Sequence, residues 1–303
     1  MSEIVGCIAM SHGPQLLTPP ERWSELPTRI KGPFNPKPGI ERELAPETMR
    51  DYARRCNAAI AALRDKVAAW APDTIVVLGD DQNENILFDN MSAFTIFIGE
   101  ETDASQKYRY FGTSEDATVA HYKVNAPLAL EFVDGLMEAG FDPAWSRHTR
   151  YKYGLGHAFG RVLKFLELAP SQTIVPVMVN TYYPPAPSAR RCYQLGRALA
   201  RIAARSKAAS RVAFVASGGL SHTKIDEDVD RAVIQALEGN DAEFLSSMPS
   251  ETLVSGTSEI RNWIAVAGVA GRAAKMVDYM PCYRNADGVG CAMGFAYWDH
   301  AAA

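Results

Sequence analysis

The chain has 303 residues, 47% hydrophobic and 22% charged, proportions that suit one large globular domain or two small ones. With 31 basic residues against 35 acidic ones, the net charge of −4 provides no footprint for a phosphate backbone, so no nucleic-acid partner is expected. The five cysteines are scattered and form no C-x-x-C pair, and the N-terminus lacks a basic, cleavable leader. No apolar run reaches the roughly 18 to 20 residues that cross a bilayer, so the expectation is a cytoplasmic protein with reduced thiols and no membrane partner.

In chain order, the first element is the apolar run EIVGCIAMSH (3–12), a strand that ends on a histidine. A proline-rich segment follows over 16–46, too long for a simple connection and of the kind that forms lids or binding loops. Residues 47–70 carry a helical pattern, and DTIVVLGDDQ (73–82) reads as a second strand with a polar end. Helical patterns recur at 124–140, 189–206 and 259–277, and strand patterns at TIVPVMVN (173–180) and RVAFVASGGLSH (211–222). Continuous rather than alternating hydrophobicity marks strands buried on both faces. Strands interleaved with helices predict an α/β fold, a mixed central β-sheet flanked by helices on both faces. No repeat or linker interrupts the pattern, so a single domain over 1–303 is expected. In such sheets ligands bind beyond the carboxyl ends of the strands, which makes the polar strand ends candidates to meet.

Three of the six histidines stand among glycines, where the main chain can approach a ligand closely: His12 in SHGP, His157 in YGLGHAFG and His222 in SGGLSH. Asp80, Asp81, Gln82 and Glu84 crowd three acids and an amide onto one strand end. An Asx turn accounts for one acid, and a bound cation or protonated partner accounts for the crowding. Glu259 opens an apolar helix, where the macrodipole favours a carboxylate by roughly 0.3–1 kcal/mol whether or not it binds anything.

With these pieces in order, AMSHGP, PDTIVVLGDD, GHAFGRVLKFLE, IVPVMVN, ASGGLSH and EIRNWIAVAG, the chain resembles the class III extradiol ring-cleavage dioxygenases. That group includes the catalytic subunit of protocatechuate 4,5-dioxygenase and the 2,3-dihydroxyphenylpropionate dioxygenases. The likeness covers most of the chain and leaves 16–46 as extra length. It implies a facial triad of two histidines and one carboxylate on non-haem iron, with open positions for substrate and dioxygen. His12 matches the first ligand and Glu259 the third. Gln82 falls where the family carries its second histidine, a departure that puts the metal in question and leaves Glu84 or Asp81 as alternative second ligands. The expected cofactor is Fe(II), with Mn(II) as the alternative.

The resemblance also implies that His222 is the acid–base residue and that His157 contacts substrate or the oxygen adduct. Gly218 and Gly219 would let the chain pass close to the metal-bound ring, and Asn180 and Tyr182 would line the pocket. The expected partners are a small aromatic substrate of catechol, aminophenol or hydroxypyridone type, dioxygen, and a second copy of the chain in a homodimer. Arg22, Arg29 and Lys31 in 16–46 are either carboxylate contacts or solvated, and Trp23 and Phe34 either cap a ring, pack the loop or form an interface. Competing readings are a non-catalytic homologue partnered with an active subunit and a metal-dependent hydrolase on the same fold.

Overall fold

Four apolar runs form the parallel heart of a nine-stranded mixed sheet. The computed structural model describes residues 1–27, 37–106 and 118–300. In chain order the strands are β1 (Glu3–Met10), β2 (Thr74–Asp80), β3 (Phe94–Phe97), β4 (Glu101–Ser105), β5 (Val119–Lys123), β6 (Ala144–Ser146), β7 (Thr173–Val179), β8 (Arg211–Ser217), β9 (His222–Lys224), β10 (Lys275–Tyr283) and β11 (Val289–Asp299). The helices are α1 (Ile40–Glu43), α2 (Pro46–Trp70), α3 (Ala126–Glu138), α4 (His157–Leu166), α5 (Ala189–Arg205), α6 (Glu227–Glu238), α7 (Ala242–Ser247) and α8 (Ile260–Ala270).

The sheet runs in the order β10-β11-β1-β8-β2-β7-β3-β6, with β9 pairing on β11, while β4 and β5 make a separate two-stranded sheet. Strands β1, β8, β2 and β7 are parallel neighbours, so their carboxyl ends lie along one rim. Every residue of β2 is buried, as continuous hydrophobicity requires of a strand covered on both faces. Each fully buried valine or leucine contributes about 1.5–3 kcal/mol.

The two cores are read directly from the alternation along β2. Ile75 and Val77 join one cluster with Leu63 of α2 and Phe159 of α4. Val76 and Leu78 join the other, with Phe132 of α3, Leu195 of α5 and Trp263 of α8. Successive strand side chains point to opposite faces, so Asp80 continues the Val76 and Leu78 series toward the layer that contains α8. That parity places an acid opposite Glu259.

The predicted helix over 259–277 is shorter than expected. It ends at Ala270, where Gly271 adopts φ +60°, and the chain enters β10 at Lys275. The hairpin β10–β11 had no forecast from the sequence. Within 16–46, residues 20–25 form a 3-10 turn whose Trp23 is buried, its indole N–H donating to the carbonyls of Gln15 and Thr18. Trp23 therefore packs this segment onto the core, and Arg22 pairs at the surface with Glu25. Arg29, Lys31 and Phe34 lie outside the described residues.

Candidate metal and active site

At the rim of the sheet, His12, Asp80 and Glu259 are all buried and offer ligand atoms within 4.8 Å of one another. His12 follows the end of β1, Asp80 is the last residue of β2, and Glu259 is the N-cap of α8. Three remote parts of the chain thus contribute one donor each. Both oxygens of Asp80 are buried without a hydrogen-bond donor in ordinary geometry. Burial, with the Glu259 charge next to it, pushes the Asp80 carboxyl well above its usual range, while the nearby Gln82 amide and His222 pull it down.

The imidazole of His12 is held in one tautomer. Its Nδ1 lies 2.9 Å from the Ser217 hydroxyl, and that hydroxyl spends its single proton on the carbonyl of Ala158. The Ser217 oxygen is therefore the acceptor, Nδ1 carries the proton, and Nε2 keeps a lone pair, 3.9 Å from Glu259 Oε2. A ligating histidine needs this kind of fixed partner behind it. Burial also holds His12 well below its ordinary pKa, with His157, Arg161 and His222 adding to the effect, so the ring is neutral and able to donate electrons.

The turn after β8 is built for close approach. Gly218 has φ +98°, and a Cβ there would stand 2.1 Å from Glu259 Oε2 and 3.1 Å from His12 Cε1. The N–H of Gly219 donates to Glu259 Oε2 at 2.9 Å, so this turn contributes backbone rather than side chains. Below it, Asp230 braces the segment: its carboxylate accepts the Ser221 N–H and hydroxyl and the Tyr279 hydroxyl. His222 follows directly, its Nδ1 facing the Leu220 carbonyl at 3.5 Å and its Nε2 3.5 Å from Glu259 Oε1. Burial lowers the pKa of His222, opposed by the charge of Asp80.

The crowded end of β2 divides its labour. Asp81 accepts the backbone N–H groups of Glu84, Asn85 and Ile86, which is the Asx-turn role and leaves it outside the donor group. Gln82 is buried beside the site, but its amide nitrogen donates to Glu259 Oε1 at 3.3 Å, so the side chain meets a carboxylate rather than presenting its carbonyl. Glu84 faces His157 instead, with Oε1 2.9 Å from Nδ1. Asp81 and Glu84 are thus engaged by the turn and by His157, Gln82 lies against Glu259, and Asp80 offers its carboxylate beside His12 and Glu259. The parity that links Asp80 to Val76 and Leu78 runs on to Gln82, so the local sequence alone does not separate the two.

His157, the first residue of α4, lies edge-on to His12 with ring centroids 5.0 Å apart. Burial, Arg161 and His222 hold it well below the ordinary histidine pKa. Arg161, one turn further along α4, is a buried guanidinium that donates to the carbonyls of His12 and Gln106. Sequence reasoning passed over it, and its spacing of four from His157 was the available signal. Glu259 is pushed up to about 7 by burial, against the opposing pull of the Gly219 N–H, Arg161 and Gln82.

Two residues expected to line the pocket have other contacts. Asn180 accepts the N–H of Tyr183 and donates to its carbonyl, bracing the loop after β7, and Tyr182 stacks edge-on against Tyr183 at 5.5 Å. The remaining histidines lie elsewhere: His121 pairs with Glu101 and Asp103 at the surface, His148 is exposed, and His300 is beside Cys7. No helix among the described residues is long and apolar enough to cross a membrane.

Comparison with known proteins identifies the family of the chain. The family model described as the catalytic LigB subunit of aromatic ring-opening dioxygenase matches residues 37–293. Curated relatives include a 2,3-dihydroxyphenylpropionate/2,3-dihydroxicinnamic acid 1,2-dioxygenase of Cupriavidus necator, 31% identical over 178 residues, which are 59% of this chain and 51% of the relative. The enzyme of the same name from Paraburkholderia xenovorans is 32% identical over 178 residues, again 59% and 51% of the two chains. That of Escherichia coli K12 is 29% identical over 166 residues, 55% and 48%. The chain spans about half the length of the curated relatives it matches.

Proposed function

The chain belongs to the family of catalytic LigB subunits of aromatic ring-opening dioxygenases, and from that premise we propose that it is a metal-dependent extradiol-type dioxygenase whose ion is held by His12, Asp80 and Glu259. The observation that carries this reading is the buried pair of carboxylates, Asp80 and Glu259, beside a neutral imidazole with its lone pair kept free. Two adjacent carboxylates without solvent repel each other, and a divalent cation offsets that cost. The donor set of one nitrogen and two carboxylates suits Fe(II), the ion we infer, and also accepts Mn(II).

When bound, such an ion supplies Lewis-acid polarisation of the chelating groups and open positions for substrate and dioxygen. The residues supply the proton handling. His222, neutral through burial, accepts the proton of a chelating hydroxyl at Nε2 as substrate enters, since its Nδ1 faces the Leu220 carbonyl. It returns that proton to the dioxygen-derived oxygen that leaves as the O–O bond breaks, the step that leads to opening of the carbon–carbon bond beside the two donors. His157, also neutral, holds a second polar position next to His12. Both atoms of dioxygen enter the product, a ring-opened semialdehyde or carboxylate, and no external reductant is consumed.

The proposed substrate is a small aromatic ring with two adjacent donor groups: a catechol, an aminophenol or a hydroxypyridone. Elemental analysis of the purified protein combined with oxygen uptake across such a panel tests the reading. It predicts one divalent ion per chain and uptake stoichiometric with a ring. A metal-replete protein inert toward the whole panel, or turnover that persists without oxygen, overturns it.

A further inference from the structure

Glu84 belongs to no part of the donor group, yet it is buried in full beside it. Its Oε1 lies 2.9 Å from His157 Nδ1 and 3.3 Å from the His157 backbone N–H, at the positive end of α4. An ionised carboxylate only accepts, so with Glu84 ionised at this helix end both contacts are donated by His157 and Nδ1 carries the proton. Two local features keep the contact in place. Asp81 ties down the Glu84 main chain through its N–H, and the residue before His157 is Gly156, where a Cβ would stand 1.4 Å from Glu84 Oε2. Glu84 and His157 are 73 positions apart, so the pair exists only in the folded molecule.

We propose that Glu84 is a positioning residue that locks His157 as the Nδ1–H tautomer, so that Nε2 enters the reaction as a hydrogen-bond acceptor toward a substrate hydroxyl rather than as a donor. The inference deepens the dioxygenase reading, on which its catalytic consequence rests, but the tautomer itself does not depend on turnover. Arg161, His12 and His222 are the charged or titratable groups around the ring besides Glu84, and none of them offers Nδ1 a carboxylate oxygen among the described contacts. Glu84→Leu removes the acceptor, and Glu84→Gln retains an amide oxygen in the same volume.

The test is nitrogen-15 NMR of histidine-labelled, metal-free protein, with the His157 signals assigned through His157→Gln. The wild type is expected to show a protonated Nδ1 and an unprotonated Nε2, Glu84→Leu a shift of His157 to the Nε2–H form or a mixture, and Glu84→Gln retention of the Nδ1–H form. A wild-type Nε2–H tautomer, or a folded Glu84→Leu protein with an unchanged tautomer, overturns the proposal. In the metal-loaded enzyme, Glu84→Leu should lower kcat about 10- to 100-fold with KM within about threefold, and Glu84→Gln should recover most of that loss. A tautomer that shifts with no change in kcat would remove the catalytic role, whereas absence of all turnover in the wild type would count against the dioxygenase reading and leave the tautomer result standing.

Discussion

The end of β2 and the end of β8 meet at the same site by opposite means. β2 delivers charge: Asp80 to the donor group, Asp81 to the turn, and Glu84 to an imidazole. β8 delivers proximity: at Gly218 it has no side chain to obstruct Glu259, and at Gly219 it offers a backbone N–H to the same carboxylate. The contrast teaches that repulsion between acids is tolerated on one side of the site because the other side brings only dipoles and a neutral ring.

The sharpest way to break this comparison is to exchange the roles assigned along β2. Asp80→Asn should reduce bound metal from one equivalent to less than a tenth and lower turnover at least about a thousandfold, since an isosteric amide loses the anionic donor. Gln82→Ala should keep the metal and lower turnover about tenfold or less. Metal analysis and oxygen uptake on the two variants check this, and the reverse order would return the second ligand to Gln82.

A smaller effect is expected behind His12. Ser217→Ala removes the acceptor that fixes its tautomer, and metal affinity should fall about 10- to 100-fold, measured by chelator competition. Retention of wild-type affinity would mean that the ring is oriented by packing alone.

The smallest effect concerns the brace beneath β8. Asp230 is raised from 3.8 to about 6 by burial, against hydrogen bonds from Ser221 and Tyr279, with Asp226 and His222 as its charged or titratable neighbours. Between those two values the native state binds more protons than the unfolded one, so this contribution to stability is present below about pH 4 and lost as pH rises through 6. A shift of about two units corresponds to roughly 3 kcal/mol at most. Asp230→Asn should therefore cost more stability at pH 4.5 than at pH 8, as read by urea unfolding at both values; an equal cost at both would show that Asp230 titrates normally.

Much of the fold was legible because β1, β2, β7 and β8 are buried on both faces and therefore read as unbroken apolar runs. The hairpin β10–β11 was not, because VGCAMGFAYWD mixes glycine and alanine with aromatics and carries neither period clearly. The helix at Ile260 was overextended because apolar residues continue past Gly271, where only the positive φ ends it. At the site, the glycine context drew attention to His12, His157 and His222, which the structure brings around Glu259 and Asp80. Register with a family motif pointed to Gln82, and the strand's two-residue period, which Asp80 and Gln82 share, does not separate them; the grouping of Asp80 with His12 and Glu259 emerges only in the folded molecule. The pairing of Glu84 with His157 is a tertiary contact with no local pattern to announce it.

The three donors stand at positions 12, 80 and 259, and the first two lie on strands separated in the sheet by β8. No contiguous fragment shorter than 12–259 contains the set. The proposed site therefore exists only once β1, β8 and β2 lie side by side and the start of α8 has joined them.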